Sequence, residues 1–317
     1  VIVVTGIAIQ NTFEAGGLYE IPTEIVKSQI DFIVKDLDID VVKTGMLCNS
    51  QIVDVVIRAT KSYGFTLIVD PVMRAKVGLK LLSDEALRKL VKELIPLCTV
   101  ITPNIEEAKA ITGIEIRDVN DMKKAAKLIV EELGAKAAVI KGGHLQGEEV
   151  VDVLYTEGKF FEFRSRRIDG CWHGAGCIFS SAIAAFIALG KDIYEAVKNA
   201  KEFVIHAARY GYRDICKGVC PINPESWVEI YAERYKVIEE LWRSIEIIEK
   251  YGELIAPLIP EVQANLVMAL PKKYAKDISD VAGIMGRIVR YGNKVKVVGP
   301  PAFGASKHLA RAVLKAM

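Results

Sequence analysis

The feature that most restricts this chain's fold is an alternation that runs from Val1 to about Gly211. Short apolar runs, too short to be buried helices, alternate there with stretches of helical period. Val41-Val42-Lys43, Thr66-Leu67-Ile68-Val69, Thr99-Val100-Ile101 and Ala137-Ala138-Val139-Ile140 read as strands buried on both faces, because such runs leave almost no face for water. Val1 to Gly6 reads the same way. Between the strands, Pro22 to Leu37, Ser50 to Tyr63, Ser83 to Ile95, Ile105 to Thr112 and Asn120 to Leu133 read as helices. Ser83-Asp84-Glu85 opens its helix with a capping side chain and first-turn acids. Strand–helix–strand alternation predicts a mostly parallel sheet with helices on both faces, an α/β fold. Ligands of such sheets bind beyond the carboxyl ends of the strands.

Polar residues gather at those ends. Lys43-Thr44-Gly45-Met46 follows one strand, Asp70-Pro71-Val72-Met73 the next, Thr102-Pro103-Asn104 the third and Lys141-Gly142-Gly143-His144 the fourth. One such edge would mean little, but four in register make a cleft carrying both signs of charge. Val150 to Tyr155 and Phe160 to Arg164 then read as a hairpin.

Next comes Trp172-His173-Gly174-Ala175-Gly176-Cys177, running into a helix of small and apolar residues to about Gly190. A glycine turn that opens a helix points free N–H groups along the positive end of the helix dipole and can hold a phosphate oxygen. Cys177 in the first turn is expected to have a depressed thiol pKa for the same reason. Taken alone, the segment reads equally as a glycine cap before a buried helix, with Cys177 a small core residue. A second long helix, about Ile193 to Tyr210, closes this part, so the first domain is placed at 1–211.

Tyr212 to Ser226 holds Gly218, Pro221 and Pro224 close together and reads as a linker, 212–226. The rest, 227–317, opens with a helix of about Trp227 to Tyr251 whose apolar stripe includes Trp227, Tyr231, Tyr235, Leu241 and Ile245. A smaller α/β unit follows: Leu266 to Leu270, Ile288 to Arg290 and Lys294 to Val298 as strands, then a last helix after Gly304-Ala305-Ser306.

Composition excludes several classes. With 42 Lys+Arg against 40 Asp+Glu the net charge is +2, too balanced to argue for nucleic acid as a partner. No apolar run is long enough to span a bilayer, and Val1 to Gly6 lacks a basic leader, so the chain is read as cytoplasmic without membrane contact. On that reading the six cysteines are expected to be reduced thiols, Cys216 and Cys220 included.

The rim motifs also carry a resemblance. Ala8-Ile9-Gln10-Asn11-Thr12, Lys43-Thr44-Gly45-Met46-Leu47, Asp70-Pro71-Val72-Met73, Thr102-Pro103-Asn104-Ile105-Glu106-Glu107-Ala108, Lys141-Gly142-Gly143-His144 and His173-Gly174-Ala175-Gly176-Cys177 occur in family order. Up to about Cys220 the chain resembles the hydroxymethylpyrimidine/phosphomethylpyrimidine kinases of the ribokinase-like superfamily. The tail resembles the front part of an archaeal-type thiamine-phosphate synthase domain, through Leu258-Ile259-Pro260-Glu261-Val262, Gly286-Arg287-Ile288-Val289-Arg290 and Phe303-Gly304-Ala305-Ser306-Lys307-His308. Two departures stand out. Ala175 replaces the family's usual threonine. Gly6 also runs directly into Ile7 where the family carries a glycine-rich loop, a helix and a strand, so the sequence is read as closed over a segment there.

The resemblance implies transfer of the ATP γ-phosphoryl group to 4-amino-5-hydroxymethyl-2-methylpyrimidine and then to its monophosphate, followed by coupling to thiazole phosphate in the tail. It implies a cradle of Gly174, Ala175 and Gly176, with Cys177 as base or proton relay. Lys141, Thr102, Asn104 and Gly142 would bind ATP; Asn104, Glu107 and Asp70 would serve Mg²⁺; Met46, Val72 and Asp70 would line the pyrimidine site. Arg287 and His308 are the tail's candidates for phosphate recognition or coupling, and a homodimer or higher homo-oligomer is implied. By spacing alone Asn104 and Glu107 read as a helix cap with a first-turn acid. A vitamin-B6-type kinase, or a non-catalytic thiamine-phosphate-binding regulator, is the alternative.

Overall fold

In the computed structural model, which describes residues 1–261 and 263–317, the chain forms two units, Val1–Pro224 and Glu225–Met317. Val262, part of the tail motif, lies outside the described residues.

The first unit starts with a hairpin that stands apart from the main sheet: β1 (Gly6–Gln10) against β2 (Ala15–Glu20). Its turn is held by the Asn11 side chain, which accepts from the N–H groups of Phe13 and Glu14. One expectation fails here. Val1 to Gly6 is not a buried strand, for Val1 and Ile2 are 87% and 83% exposed and the strand begins only at Gly6. Before Gly6 the pairing with β2 runs out: Thr5 C=O still accepts from Ile21 N–H, but Val4 bonds through its N–H and C=O to the Gln29 side chain instead of to a strand. Gly6 and Ile7 are consecutive members of that ladder, paired with Glu20 and Tyr19.

After the hairpin come α1 (Thr23–Asp36), β3 (Val41–Thr44), α2 (Ser50–Tyr63), β4 (Thr66–Val69), α3 (Asp84–Lys89) and β5 (Val100–Ile101). Then follow α4 (Ile105–Thr112), α5 (Val119–Glu131), β6 (Ala137–Ile140), β7 (Glu149–Thr156), β8 (Lys159–Arg166), α6 (Ala175–Ala188) and α7 (Ile193–Arg209). The helix expected over Ser83 to Ile95 loses its α geometry after Lys89, widening to a π turn and tightening to 3₁₀ at Pro96, which has no N–H to continue the ladder.

The main sheet has the order β3-β4-β5-β6-β7-β8, parallel through β6 and antiparallel beyond. Alternation along each strand sends side chains to opposite faces. Leu67, Val69, Ala138 and Ile140 join Val26, Ile52 and Met122 of α1, α2 and α5 in one core. Ile68, Ala137 and Val139 join Phe179, Ile183 and Val204 of α6 and α7 in the other. This is the ribokinase-like architecture expected, and it aligns the ends of β3 to β6 on one rim.

The residues read as a linker are largely part of this unit. Tyr212 N–H donates to Pro221, Val219 N–H to Thr12 and Ile222 N–H to His173. The expectation of six reduced cysteines is corrected by the same contacts. Cys171 and Cys220 form a disulfide, because the pairing of His173 with Pro221 brings their α-carbons to 4.9 Å; Cys48, Cys98, Cys177 and Cys216 are free.

The second unit holds α8 (Ser226–Lys250), α9 (Gly252–Ile255), β9 (Val267–Ala269), β10 (Val281–Ile284), β11 (Arg287–Tyr291), β12 (Lys294–Val298), β13 (Pro301–Phe303) and α10 (Lys307–Ala316). Its sheets are an antiparallel β13-β10-β9 trio and a β11-β12 hairpin. Ile245, Ala256, Ile284, Ile288 and Val295 form its core, while Tyr231 and Tyr235 of the α8 stripe stay exposed.

Candidate active site

The strand ends meet at Asp70, 2% exposed, directly after β4. One of its oxygens accepts from Lys141 Nζ at 2.9 Å and Thr102 Oγ1 at 3.3 Å. The other accepts from Ser180 Oγ of α6 at 3.2 Å and lies 3.8 Å from Lys43 Nζ, at the end of β3. Four elements thus place their polar groups on one carboxylate. A buried carboxylate survives only with partners of this kind.

Lys141 is set beside Asn104 by an isolated parallel bridge, its N–H donating to Pro103 at 2.9 Å. Burial pulls the ammonium's pKa down, but Asp70 and Glu107 reverse this, and the net shift is upward. Lys141 is thus a fixed cation. Its nitrogen also rests against the glycine turn, for a Cβ added to Gly176 would lie 3.5 Å from it.

Asn104 caps α4: its side chain accepts from Glu107 N–H at 2.9 Å, and Glu107 returns a carboxylate to Asn104 N–H at 2.8 Å. The capping-box reading of this pair is therefore the geometry seen. Glu107 is buried, and that burial pushes its pKa up to about 7; Lys141 and the Asn104 N–H oppose the shift, and Asp70 adds to it. Gly142 donates to Asp152 Oδ1 at 2.9 Å, and a Cβ there would fall 1.9 Å from the Val151 carbonyl. Only glycine fits. The following loop is tied by Arg167, whose guanidinium donates to the carbonyls of Gly143, Leu145 and Gly147.

Gly174 has φ +86, a left-handed conformation that bulkier residues rarely adopt, and it starts α6 with no side chain capping the helix. The Ala175 N–H donates to Trp172, and the N–H groups of Gly176 and Cys177 remain available to an anion. Cys177 opens to the cleft, but its pKa is not depressed as expected. Desolvation by the surrounding walls and the charge of Asp70 raise it, and Lys43 and Lys141 only partly counter them.

Asp70, Thr102, Asn104, Glu107, Lys141, Gly142 and the Gly174–Cys177 turn thus form one cluster. Met46 instead lines a cavity of about 510 Å³ beside β3, together with Lys43, Thr44 and Val42. Val72 is half-buried in the loop after β4 and does not line that cavity. His144 is exposed, and His173 serves through its backbone. In the second unit Arg287 and His308 are both exposed; among the described residues no hydrogen bond or ion pair joins them. Lys43 and Ser180 went unassigned in the sequence. Lys43 ends its strand as Lys141 does, which was the available signal, whereas Ser180 shows nothing that separates it from other small helix residues.

Residues 1–223 match the phosphomethylpyrimidine kinase family. The chain belongs to that family. Residues 240–317 match the thiamine-phosphate synthase ThiN family. Among relatives, the hydroxymethylpyrimidine/phosphomethylpyrimidine kinase of Aquifex aeolicus is 42% identical over 211 residues, 66% of this chain and 82% of that protein. The thiamine biosynthesis bifunctional protein ThiED of Geobacter sulfurreducens is 38% identical over 223 residues, 70% of this chain and 45% of its own length. In structure, an ADP complex of Bacillus subtilis pyridoxal kinase superposes with a TM-score of 0.65 at 34% identity, over 71% of this chain and 86% of that one. The cluster around Asp70 lies at the carboxyl ends of the strands of this fold. Among the described residues no helix is long and apolar enough to cross a membrane.

Proposed function

We propose that the first unit phosphorylates 4-amino-5-hydroxymethyl-2-methylpyrimidine with ATP and then its monophosphate, and that the second unit takes part in coupling the diphosphate to thiazole phosphate. The observation that carries the kinase reading is the meeting of the α6 glycine turn, Lys141 and Cys177 over the buried Asp70. Phosphoryl transfer asks chiefly for positioning and charge neutralisation, and these groups supply both. The Gly174–Cys177 turn receives phosphoryl oxygens through the N–H groups of Gly174, Gly176 and Cys177, while the Ala175 N–H donates to Trp172 and shapes the turn; the loss of a threonine hydroxyl at Ala175 leaves those donors untouched. Lys141, with Thr102, Asn104 and Gly142 beside it, faces the ATP phosphates. Cys177 takes the proton of the attacking hydroxymethyl group.

Glu107 and Asp70 suit a hard divalent cation: both are buried carboxylates, and Glu107 has its pKa raised by burial, against the pull of Lys141. Among the described residues no three His, Cys, Asp or Glu side chains are grouped to hold a metal, so Mg²⁺ would be held by these carboxylates through water together with ATP oxygens. When bound, the ion neutralises charge on the transferring phosphoryl group. In the second unit Arg287 offers planar donors to a phosphate, and His308 stands in the first turn of α10. A homodimer is expected, supported by the exposed Ile7, Ile9 and Tyr19 of the β1–β2 hairpin.

The test is turnover of the hydroxymethylpyrimidine with Mg-ATP, resolved into mono- and diphosphate by anion-exchange chromatography. Turnover is expected, with Cys177→Ala slowed by about 100-fold or more. Equal turnover by Cys177→Ala removes the assignment of Cys177. The resemblance to pyridoxal kinase supports a second reading, and preferential turnover of pyridoxal would select it. Coupling is assayed separately with thiazole phosphate, comparing His308→Ala with the unaltered protein.

A further inference from the structure

The two lysines that flank Asp70 are not equivalent. Lys141 is hydrogen-bonded to the carboxylate at 2.9 Å and stacked beside Gly176, with its charge already committed. Lys43 reaches the other oxygen only at 3.8 Å, beyond hydrogen-bond distance, and that oxygen already accepts from Ser180 Oγ. The Lys43 side chain is nevertheless 18% exposed. Among the described residues its ammonium makes no hydrogen bond, and the side chain keeps an open edge, so its three N–H donors can be reached by a ligand. An ammonium in that state can give charge-assisted hydrogen bonds to a phosphate. Gly45, whose added Cβ would sit 3.2 Å from Lys43 Nζ, leaves the approach open on that side. Lys43 also lines the cavity that Met46 and Thr44 line, and its charge is felt at Cys177. It therefore stands between the cavity beside β3 and the transfer point.

Resting on the kinase reading above, we propose that Lys43 is the subsite for the substrate's own phosphate, and so the residue that lets one cleft carry out the second phosphorylation. The two transfers make different demands. In the first, a neutral hydroxymethyl group attacks the γ-phosphorus of ATP and gives up its proton; the bond from that phosphorus to the β–γ bridging oxygen breaks, and its electron pair leaves with ADP. In the second, an already anionic phosphate oxygen attacks, forming the P–O–P link while the same bond breaks and ADP leaves. No hydroxyl proton has to be removed. A doubly charged phosphate must instead approach the phosphates of ATP. Lys141 faces ATP, and the uncommitted cation is Lys43. Cys177 thus serves the first transfer and Lys43 the second.

The experiment measures kcat and KM for both transfers in the full chain, separately on the hydroxymethylpyrimidine and on its monophosphate. Lys43→Gln is expected to lower kcat/KM for the monophosphate roughly 10- to 100-fold, the worth of a charge-assisted hydrogen bond, chiefly through KM, and to change the alcohol by less than about 3-fold. Lys43→Arg is expected to recover part of the monophosphate turnover. Equal losses on both substrates, or a larger loss on the alcohol, overturn the assignment. Should Lys43→Gln not fold, Lys43→Arg carries the test, because it keeps the charge and moves the donors: the monophosphate KM must change while the alcohol KM stays, and unchanged values for both overturn it. If the unaltered protein phosphorylates neither pyrimidine, the kinase reading fails, which is a different result from either of these.

Discussion

Glu107→Gln is expected to make the protein more stable at mildly alkaline pH and less active. The carboxylate is 7% exposed, and its pKa stands at about 7 where an ordinary glutamate has 4.5, with burial as the leading cause. The folded state therefore holds the Glu107 proton more tightly than the unfolded chain does. Its contribution to stability is fully present below the unfolded value, falls as pH rises, and is lost once pH passes the folded value of about 7. At ~1.4 kcal/mol per pKa unit the loss amounts to about 3 kcal/mol. Glutamine imitates the protonated form: its amide oxygen can accept from Asn104 N–H as Glu107 does at 2.8 Å, and it carries no charge to bury. Lys141 loses one attractive partner, which trims the gain. Thermal unfolding of the nucleotide- and metal-free protein should show the variant higher by roughly 5 °C near pH 8, with the difference closing near pH 5. A variant melting lower by the same amount at both pH values would refute the reasoning, since it would make Glu107 a net stabiliser in its charged form. Kinase turnover should fall in the same variant, because the charge that costs stability is the one proposed to face Mg-ATP.

Other changes separate the roles of the remaining parts. Gly142→Ala places a Cβ 1.9 Å from the Val151 carbonyl, so a loss of about 3 kcal/mol is expected in thermal or urea unfolding, with turnover falling as the Lys141 loop shifts. Replacing Cys171 and Cys220 by serine opens a closure spanning 49 residues, worth up to about 4 kcal/mol on the chain-entropy account. The unaltered protein under strong reductant should melt like that double variant. Because burial and Asp70 raise the Cys177 thiol, the first transfer should speed up as pH rises into the alkaline range and more thiolate forms. The Cys177→Ala variant should lack that rise, and a matching rise in the variant would assign it to another group.

Much of the first unit was legible because its signals are local. The unbroken apolar runs at 66–69 and 137–140 could only be buried strands, and both are. Asn104 with Glu107 three residues on is a helix start whatever surrounds it, and Gly174 marks a left-handed turn by its identity alone. Three of the failures were matters of pairing. Val1 to Val4 has strand composition but no neighbour to complete a ladder. The stretch 212–224 has linker composition but finds carbonyls and N–H groups of the first unit to bond with. The disulfide joins cysteines that no spacing rule would pair.

The site divides in the same way. By itself the sequence determined which chemical groups stand at the strand ends, since strand periodicity and a parallel connection carry each motif to one rim. Tertiary structure alone decided how those groups share their charge. Asp70 takes Lys141 in a hydrogen bond and leaves Lys43 unsatisfied, burial lifts Glu107 and Cys177, and Gly142 is squeezed against Val151. Composition and spacing act over a few residues, whereas desolvation and Coulomb energy depend on distances between segments that meet only after folding.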